Sequence, residues 1–442
     1  MKIAVAGTGY VGIVTGVCLA EMGHQVICID IEEEKISLLQ SGKSPIYEPG
    51  LQTLLDKNLT CGRLHFTTNP QTAYSQAEII FLSVGTPENQ DGTANLTYIF
   101  RVADLIAKNI ENDVIICTKS TVPVGTNYQI QKLIQSKKPP NLNVEVVSTP
   151  EFLREGSAIF DFFHSDRIVI GSDQFNGATI VEELFLPLNI PIFNTSIKSA
   201  EMIKYAANAF LATKISFINE IAHICEKVGA NIEEVAAGIG KDKRIGLSFL
   251  QAGIGYGGSC FPKDTKALVQ LAGNIEHPFE LLESVIKVNN HQPSLVVQKA
   301  KEVVGSLHGK KVAVLGLSFK PDTDDVRHAP SLIIIKELYN EGAKVTAYDP
   351  IAIKNAKKGI KESIEYTTDI REALLHAEVA IIATEWDQIK QLPTEMFTTY
   401  MKEAIIIDGR NCYPLERMQK YPVTYHSIGR SSINNVKVKS SV

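Results

Sequence analysis

Cys260 lies in the stretch of the chain best suited to covalent chemistry. The segment 254–264 reads IGYGGSCFPKD, so three glycines precede the cysteine, and Lys263 and Asp264 follow it. Glycines allow the backbone to approach a ligand closely. A cation at Lys263 favours the thiolate, which is the nucleophilic form of cysteine. A lone cysteine is more often a buried core residue, but this composition favours a nucleophile.

A second motif predicts a dinucleotide site at the N-terminus. A short apolar strand ends at GTGYVG, residues 7–12, and a helical pattern follows; the next strand, 25–29, ends on Asp30. Such glycines admit a pyrophosphate at a helix N-terminus, and the acid accepts hydrogen bonds from a ribose. Glu32, Glu33 and Glu34 disfavour a 2′-phosphate, although they also complement the dipole of the following helix. The motif therefore predicts NAD rather than NADP.

Three polar side chains follow apolar runs farther along the chain. The runs 78–84, 114–117 and 144–147 precede turns that contain Thr86, Thr121 and Glu151, respectively. In open α/β sheets ligands bind beyond the carboxyl ends of the strands. We therefore expect these side chains to converge on one edge of a sheet.

A long uninterrupted helical pattern runs from residue 199 to 228, with no proline or glycine before Gly229. A helix of this length usually bridges domains or forms a dimer face. Lys204 and Asn208 are four residues apart, so they share a face and can address one ligand. Taken alone, the pair is more typical of a solvated stripe.

A second α/β unit begins at the apolar run 310–317, with further strands predicted at 344–348, 379–383 and 404–407. Its first turn, GLSFKP at 316–321, lacks G-x-G-x-x-G, so no second dinucleotide is expected there. Lys320 and Arg327 suit a phosphate or carboxylate, or are ordinary surface cations. The polar tail from Ser431 is expected to be disordered.

Composition narrows the classes of protein. The chain has 442 residues and a formal net charge of −5, which argues against nucleic-acid or anionic-membrane partners. No apolar run is long enough for a membrane span, and residues 1–7 lack the apolar core and cleavage site expected of a signal peptide. Seven scattered cysteines without a C-x-x-C pair indicate a reducing, cytoplasmic setting and no metal site.

Taken together, the motifs resemble the nucleotide-sugar 6-dehydrogenases of the UDP-glucose/GDP-mannose dehydrogenase family over residues 1 to about 430. The resemblance rests on residues 7–12 with Asp30 and on further segments at 120–125, 150–156, 204–208, 244–246, 255–264, 319–327 and 408–410. It implies two Rossmann-like, doubly wound α/β domains joined by a long central helix in a helical middle domain. The implied domains are 1–195 for NAD, 196–300 for dimerisation and the active site, and 301–442 for the UDP-sugar.

The resemblance also implies an activity: NAD-dependent four-electron oxidation of UDP-glucose to UDP-glucuronate, which feeds polysaccharide precursor synthesis. Cys260 would be the nucleophile, Lys204 and Asn208 the oxyanion donors, and Glu151 the base for thioester hydrolysis. Asp264, with Thr121 and a water, would serve proton transfer in the first oxidation. A homodimer is implied, with Arg244 completing the neighbouring subunit's site.

Position by position, the family's contacts fall on two sets of residues in this sequence. The cofactor set is Gly7, Gly9, Tyr10, Val11, Gly12, Asp30, Lys35, Thr86, Thr121, Glu155, Lys263 and Arg327. The substrate set is Glu151, Phe152, Leu153, Arg154, Glu155, Lys204, Asn208, Arg244, Phe249, Leu250, Gln251, Ala252, Gly253, Gly257 and Lys320.

Other functions remain open at this point. Another nucleotide sugar, a UDP-N-acetylhexosamine or GDP-mannose, would use the same parts, although the segments 151–156 and 244–246 look more like the glucose branch. A two-electron hydroxyacid-type dehydrogenase would have no use for Cys260. A catalytically silent NAD-binding sensor would not need Glu151, Lys204 and Asp264.

Overall fold

A computed structural model of the chain describes residues 1–435 and divides into two compact units. The first comprises Met1–Ala207 and Lys266–Glu276, and the second comprises Asn208–Thr265 and His277–Val442. The boundary falls within a long helix, whereas the sequence-based division places domain boundaries after residues 195 and 300; that three-domain division stays a prediction.

The first unit is built on an eight-stranded sheet. Its strands are β1 (Lys2–Ala6), β2 (Gln25–Ile29), β3 (Leu64–Thr67), β4 (Ile79–Leu82), β5 (Val114–Thr118), β6 (Val144–Ser148), β7 (Ile168–Gly171) and β8 (Ile192–Thr195). Its helices are α1 (Tyr10–Glu21), α2 (Glu33–Gln40), α3 (Leu51–Thr60), α4 (Pro70–Tyr74), α5 (Thr97–Asn109), α6 (Thr126–Gln135), α7 (Ala158–Phe163) and α8 (Phe175–Phe185), with a 3₁₀ turn at Leu186–Leu188.

The strands of this sheet follow the order β3-β2-β1-β4-β5-β6-β7-β8, and all neighbours are parallel except β6 and β7. The order reverses between β1 and β4, which creates the crevice where α/β sheets bind ligands. Strands β4 and β5 read IIFL and VIICT and are buried throughout, as expected of parallel strands covered on both faces. The four strands predicted from residues 2–6, 78–84, 114–117 and 144–147 are confirmed.

Two helices contain residues of both units: α9 (Ile197–Val228) and α11 (Phe261–Asn274), with α10 (Ile232–Gly240) between them along the chain. The long helix α9 has 32 residues and starts two residues before the predicted residue 199. It contains neither proline, which would remove a backbone donor, nor glycine, which would lower the helix propensity.

The second unit carries a seven-stranded sheet. Its strands are β9 (Lys311–Leu315), β10 (Lys344–Tyr348), β11 (Glu365–Thr367), β12 (Val379–Ile382), β13 (Ile405–Asp408), β14 (Thr424–Ser427) and β15 (Ile433–Asn434). Its further helices are α12 (Glu280–Val304), α13 (Pro330–Asn340), α14 (Ile353–Gly359), α15 (Ile370–Leu374), α16 (Asp387–Lys390), α17 (Glu395–Tyr400) and α18 (Leu415–Met418).

The second sheet repeats the strand order of the first: β11-β10-β9-β12-β13-β14-β15, with only β15 antiparallel. Two doubly wound sheets and a long helix confirm the predicted fold class. The prediction of a disordered tail from Ser431 is wrong for its first residues, because Ile433 pairs with Tyr425 across the sheet edge. The rest of that tail, from residue 436, lies outside the described residues.

Asp349 is the acid that directly follows β10, the second strand of the second unit. Its carboxylate is fully buried and accepts hydrogen bonds from the backbone N–H groups of Leu317 (2.8 Å) and Ala352 (2.7 Å) and from the indole of Trp386 (3.1 Å). In the first unit the residue after the second strand is Asp30. The two sheets share a topology, but this acid stabilises the fold of the second unit.

Candidate active site

The glycine-rich turn after β1 has the shape that a pyrophosphate requires. Gly7 has φ of +96°, and a Cβ on it would lie 2.9 Å from the carbonyl oxygen of Ser83. A Cβ on Gly12 would overlap the carbonyl oxygen of Gly7. Helix α1 begins at Tyr10 with Gly9 as its N-cap, and its first turn offers backbone N–H groups. Gly7 and Gly12 therefore let the turn pack tightly against the protein's own backbone, while the open Cβ position of Gly9 leaves a cradle that fits a dinucleotide phosphate.

Asp30 is held in place directly beside this turn. Its Oδ2 accepts hydrogen bonds from the backbone N–H and the hydroxyl of Thr8, both at 2.8 Å, and Lys35 Nζ lies 3.5 Å away. Burial raises the pKa of Asp30, but the hydrogen bonds from Thr8 and the charge of Lys35 outweigh burial, so its pKa is lowered. An ionised acid at this position suits ribose hydroxyls and repels a 2′-phosphate.

Of the three residues predicted to converge, Thr86 and Thr121 are in contact, while the convergence of Glu151 with them stays a prediction. The Thr86 hydroxyl donates a 2.9 Å hydrogen bond to the carbonyl oxygen of Thr121. Ser120 links the same two loops, because its hydroxyl donates to the carbonyl oxygen of Val84 at 2.7 Å. The loops after β4 and β5 therefore form one edge of the crevice.

Glu151 and Lys204 form a buried ion pair in the first unit. Glu151 Oε1 lies 3.3 Å from Lys204 Nζ, and both side chains are nearly inaccessible to solvent. The other carboxylate oxygen accepts a 2.6 Å hydrogen bond from the backbone N–H of Leu153, and the Lys204 ammonium lies over the ring of Phe152 at 5.2 Å. This pair places a carboxylate and a fixed donor next to each other, away from water.

The segment after Glu151 is fixed by its own contacts. Arg154 donates to Asp161 through its backbone N–H and its guanidinium (2.6–3.0 Å), and these bonds raise the pKa of Arg154. The N–H of Gly156 donates to the hydroxyl of Tyr10 and to Glu48, both at 2.7 Å. Both the backbone and the guanidinium of Arg154 are therefore held by Asp161. Glu155 lies between Arg154 and Gly156, whose backbone N–H groups are both hydrogen-bonded.

In the second unit the loop before Cys260 is packed tightly against backbone. A Cβ on Gly257 would overlap the carbonyl oxygen of His328, and one on Gly258, where φ is +84°, would lie 2.8 Å from the ring of Phe319. The N–H of Gly258 donates to the carbonyl oxygen of Arg327 at 2.8 Å. The glycines therefore serve close packing of this loop onto the turn at 319–328.

Cys260 itself is half-buried and directly precedes helix α11. A thiolate at a helix N-terminus is stabilised by the helix dipole and the free N–H groups. The Ser259 hydroxyl lies 3.6 Å from the sulfur. Lys263, one helical turn further, pairs with Asp264, so its charge is shared with a carboxylate.

Asp264 is also tied to the long helix. Asn208 Nδ2 donates to Asp264 Oδ2 at 2.7 Å, and both side chains are buried. Asn208 lies one turn after Lys204 on α9, as predicted from their spacing.

The loop at 249–253 and Lys320 complete the predicted substrate set, and Arg327 completes the predicted cofactor set. Phe249 has φ of +66°, a strained conformation for a bulky residue, and the N–H of Gly253 donates to Asn219 Oδ1 at 2.8 Å. Arg327 is held by Asp325 through two guanidinium nitrogens at 2.6–3.0 Å. The Lys320 ammonium lies 5.7 Å from the ring centroid of Phe319.

The structure distributes the predicted site residues over both units. The first contains Gly7, Gly9, Tyr10, Val11, Gly12, Asp30, Lys35, Thr86, Thr121, Glu151, Phe152, Leu153, Arg154, Glu155 and Lys204. The second contains Asn208, Arg244, Phe249, Leu250, Gln251, Ala252, Gly253, Gly257, Cys260, Lys263, Asp264, Lys320 and Arg327.

Lys119 is the residue that the sequence reasoning left out. It lines the same small cavity as Glu151 and is only 8 % exposed. The sequence does contain a signal for this residue, because Lys119 directly follows the apolar strand β5. A charged side chain next to a buried strand loses its hydration at a high free-energy cost, which suggests a role for it.

Residues 1–435 contain no cluster of three His, Cys, Asp or Glu side chains with metal-binding geometry. Within the same range, none of the helices combines the length and apolar character needed to cross a bilayer.

Comparisons with known proteins cover nearly the whole chain. Residues 1–189, 198–291 and 313–414 match, in order, the NAD binding, central and UDP binding domains of the UDP-glucose/GDP-mannose dehydrogenase family. The chain is 55 % identical over 433 residues to UDP-glucose 6-dehydrogenase YwqF of Bacillus subtilis, covering 98 % of each protein.

Solved structures agree with this match. A UDP-glucose dehydrogenase from Pyrobaculum islandicum superposes with a TM-score of 0.91 at 35 % identity and covers 97 % of this chain and 98 % of its own. A UDP-D-ManNAc dehydrogenase from Pyrococcus horikoshii has a TM-score of 0.86 at 26 % identity and covers 99 % and 100 %.

Proposed function

The chain belongs to the UDP-glucose/GDP-mannose dehydrogenase family, and from this membership we propose that it oxidises UDP-glucose to UDP-glucuronate with NAD. The observation that carries the proposal is the near-complete match to a relative named for UDP-glucose at more than half identity. The buried pair of Glu151 and Lys204 and the helix-capping Cys260 supply the groups that such a reaction needs.

The residues of the first unit would hold the cofactor. The cradle at Gly9 suits its pyrophosphate, Asp30 suits the adenosine ribose, and Thr86 and Thr121 line the crevice beyond the strands. When bound, NAD accepts a hydride, and two NAD are consumed for each sugar because four electrons leave C6.

We assign the first steps to residues around Cys260. Asp264, with Thr121 and a water, takes the proton of the C6 hydroxyl as the alcohol becomes an aldehyde. The Cys260 thiolate adds to the aldehyde carbon and gives a thiohemiacetal. Lys204 and Asn208 donate to the oxygen on C6, where negative charge develops. Loss of the second hydride from C6 leaves a thioester on Cys260.

The last step is hydrolysis of that thioester. Glu151 takes a proton from water, the resulting hydroxide attacks the carbonyl carbon, and the Cys260 thiolate leaves. The product is the C6 carboxylate, and the sulfur returns to its starting state. The backbone N–H of Leu153 and the Lys204 ammonium fix both oxygens of the Glu151 carboxylate for this role.

The stoichiometry of the reaction tests this proposal. With limiting UDP-glucose and excess NAD, we expect two NADH per sugar and no free aldehyde. A plateau at one NADH per sugar would refute the four-electron reaction. Absence of NADH with every nucleotide sugar would instead indicate an NAD-binding sensor.

A second candidate function is oxidation of a UDP-N-acetylhexosamine, favoured only by the structural likeness to the UDP-D-ManNAc dehydrogenase at lower identity. Parallel kcat/KM measurements with UDP-glucose, UDP-ManNAc and GDP-mannose decide between them. We expect UDP-glucose to exceed the others by at least about tenfold.

We also propose that the protein is a homodimer built on α9. Phe210, Phe217 and Ile224 are spaced seven residues apart, so they share one helix face, and they are 66 %, 53 % and 55 % exposed. In a two-fold symmetric dimer, the same face of a second subunit would bury this apolar stripe.

Arg244 lies next to this face. Its side chain is 88 % exposed and bonded to Asp242, and Lys214 Nζ on α9 donates to the carbonyl oxygen of Ile245 at 3.0 Å. We propose that Arg244 completes the neighbouring subunit's site. Mixing inactive Arg244→Ala and Cys260→Ala chains should restore part of the activity through heterodimers. A fully active monomer in sedimentation experiments would exclude a shared site.

We further propose a cytoplasmic protein that acts on its small-molecule substrate without nucleic acid or membrane. The net charge of −5 and the seven free cysteines support this location. Cell fractionation should find the protein with cytosolic markers, and recovery with membranes would contradict it.

A further inference from the structure

Lys119 is a buried cation that the proposed mechanism does not use. It directly follows β5, its side chain is 8 % exposed, and it lines a cavity of about 40 Å³ together with Thr149 and Glu151. A buried ammonium is costly, because it loses its hydration and regains it only through protein partners. Buried charged side chains of this kind occur mainly at functional sites of proteins.

The contacts of the Lys119 ammonium are aromatic. It lies 5.7 Å from the ring centroid of Phe81 and 5.6 Å from that of Phe185, and the two rings meet edge to face. Among residues 1–435 no carboxylate lies within ion-pair distance of it. Two ring faces stabilise a desolvated cation in part, but they leave its hydrogen-bonding capacity unused.

Two polar side chains, those of Thr149 and Glu151, line the cavity together with Lys119. Thr149 presents a buried hydroxyl without a hydrogen-bond partner in the described residues. Glu151 is the carboxylate on this wall. The cavity exceeds the roughly 10–15 Å³ that one water needs, so a water that bridges Lys119, Thr149 and Glu151 fits there.

The other charged groups around Lys119 and Glu151 are few. Arg167 lines the same cavity and stacks on Phe152 at 3.8 Å, and Lys204 pairs with Glu151 at 3.3 Å. Cys117 and Cys18 face Lys119 from β5 and α1. Burial raises the pKa of Cys117 to about 12 and that of Cys18 further, so both thiols stay neutral at physiological pH.

We propose that Lys119 is a positioning residue for thioester hydrolysis: its ammonium, with that of Lys204, keeps the Glu151 carboxylate oriented toward the water it activates. Burial lowers the pKa of Lys119, and the charge of Glu151 opposes this lowering only in part. The inference rests on the proposed function, because it assigns a role within one step of that reaction.

Lys119→Met tests the charge at nearly constant side-chain length. Because a positive charge is removed from the cavity, the acidic limb of the pH–rate profile for hydrolysis should move up by about one pH unit. Hydrolysis at low pH should then be about tenfold slower, while the preceding NADH burst keeps its rate within about twofold. Thermal stability should hold or rise, because a buried charge has been removed.

Three further variants make the test decisive. Lys119→Arg keeps the charge and should return the limb toward its wild-type position. Phe185→Leu removes one of the two rings that contact the Lys119 ammonium, so it should shift the acidic limb of the pH–rate profile in the same direction but by less. This variant replaces Lys119→Met as the test if Lys119→Met does not fold. Lys198→Met is the matched control: Lys198 also lies over a ring, that of Tyr128 at 5.5 Å, but is exposed.

A uniform loss of rate at all pH values in Lys119→Met, with the limb unmoved, would overturn the proposal and leave Lys119 a packing residue. An unchanged profile would overturn it equally. The wild-type NADH stoichiometry tests the proposed function separately, so failure of one inference is distinguishable from failure of the other.

Discussion

Asn208 and Asp264 are joined by a buried hydrogen bond of 2.7 Å, although they are 56 residues apart in the chain. The other carboxylate oxygen of Asp264 pairs with Lys263. An acid held by two donors is fixed in orientation, which is what proton transfer at one defined oxygen requires. The same bond orients the Asn208 amide, so the oxyanion donor and the proton acceptor are set by a single contact.

Asp264→Asn should slow formation of the first NADH by about 10²–10⁴-fold, because an amide cannot accept the proton. Single-turnover stopped-flow measurement with excess enzyme reads this step directly. Asp387→Asn, at an exposed position of the same unit, should leave the rate unchanged. A rate for Asp264→Asn within a factor of three of wild type would assign proton acceptance to another group.

Glu151→Gln should release a burst of about two NADH per active site and then stall as an acyl-enzyme. The amide keeps a partner for the N–H of Leu153 but cannot accept a proton from water. Loss of a positioned base slows a step by about 10²–10⁴-fold. Intact-mass measurement should find the sugar nucleotide attached, and hydroxylamine should release it.

Two controls accompany the Glu151 experiment. Glu183→Gln, at an exposed position on α8, should turn over normally. Cys260→Ser should form no adduct, because an alkoxide is much harder to generate than a thiolate. Steady turnover of Glu151→Gln without bound sugar would point to Asp264 as the group that activates water.

Asp30 should determine the preference for NAD over NADP, and it should contribute to the pH dependence of the free energy of unfolding. Asp30→Ser should narrow the ratio of kcat/KM for NAD over NADP by at least about tenfold, because a repelling carboxylate is removed. Comparable kcat/KM values for NAD and NADP in the wild type would show that Asp30 does not read the ribose.

The pH dependence of stability follows from the lowered pKa of Asp30. A carboxyl whose pKa is lower in the folded state stabilises the fold above its ordinary value of 3.8 and loses that contribution as the pH falls through the folded value. The stability difference between wild type and Asp30→Asn should therefore shrink below about pH 4. Denaturant titrations at several pH values measure it, and a difference that grows on acidification would contradict this assignment.

Gly257→Ala should destabilise the protein and reduce activity, because its Cβ would overlap the carbonyl oxygen of His328 and displace the loop before Cys260. Gly238→Ala is the matched control. Gly238 lies within α10 with nothing near its Cβ position, so alanine should stabilise there by about 0.5–1 kcal/mol. Thermal unfolding and NADH assays of both variants check the contrast; equal effects would show that the loop has room.

The sequence by itself determined the local features of this protein. The turn at Gly7–Gly12, the acid at Asp30 and the helix through Lys204 and Asn208 follow from spacing, because backbone conformation and helical periodicity are local properties. Strands β4 and β5 were readable for the same reason, since each is almost entirely apolar, and β6 was readable from three valines around one glutamate.

Only the tertiary structure decided which partners the charged side chains take. Nothing in the spacing shows that Glu151 pairs with Lys204, that Lys263 pairs with Asp264 or that Asp349 is enclosed by backbone donors. Nothing local to Lys119 shows that its ammonium lies over two rings, those of Phe81 and Phe185, from distant segments. Electrostatic interactions depend on distance and burial, and both are set by packing between segments far apart in the chain.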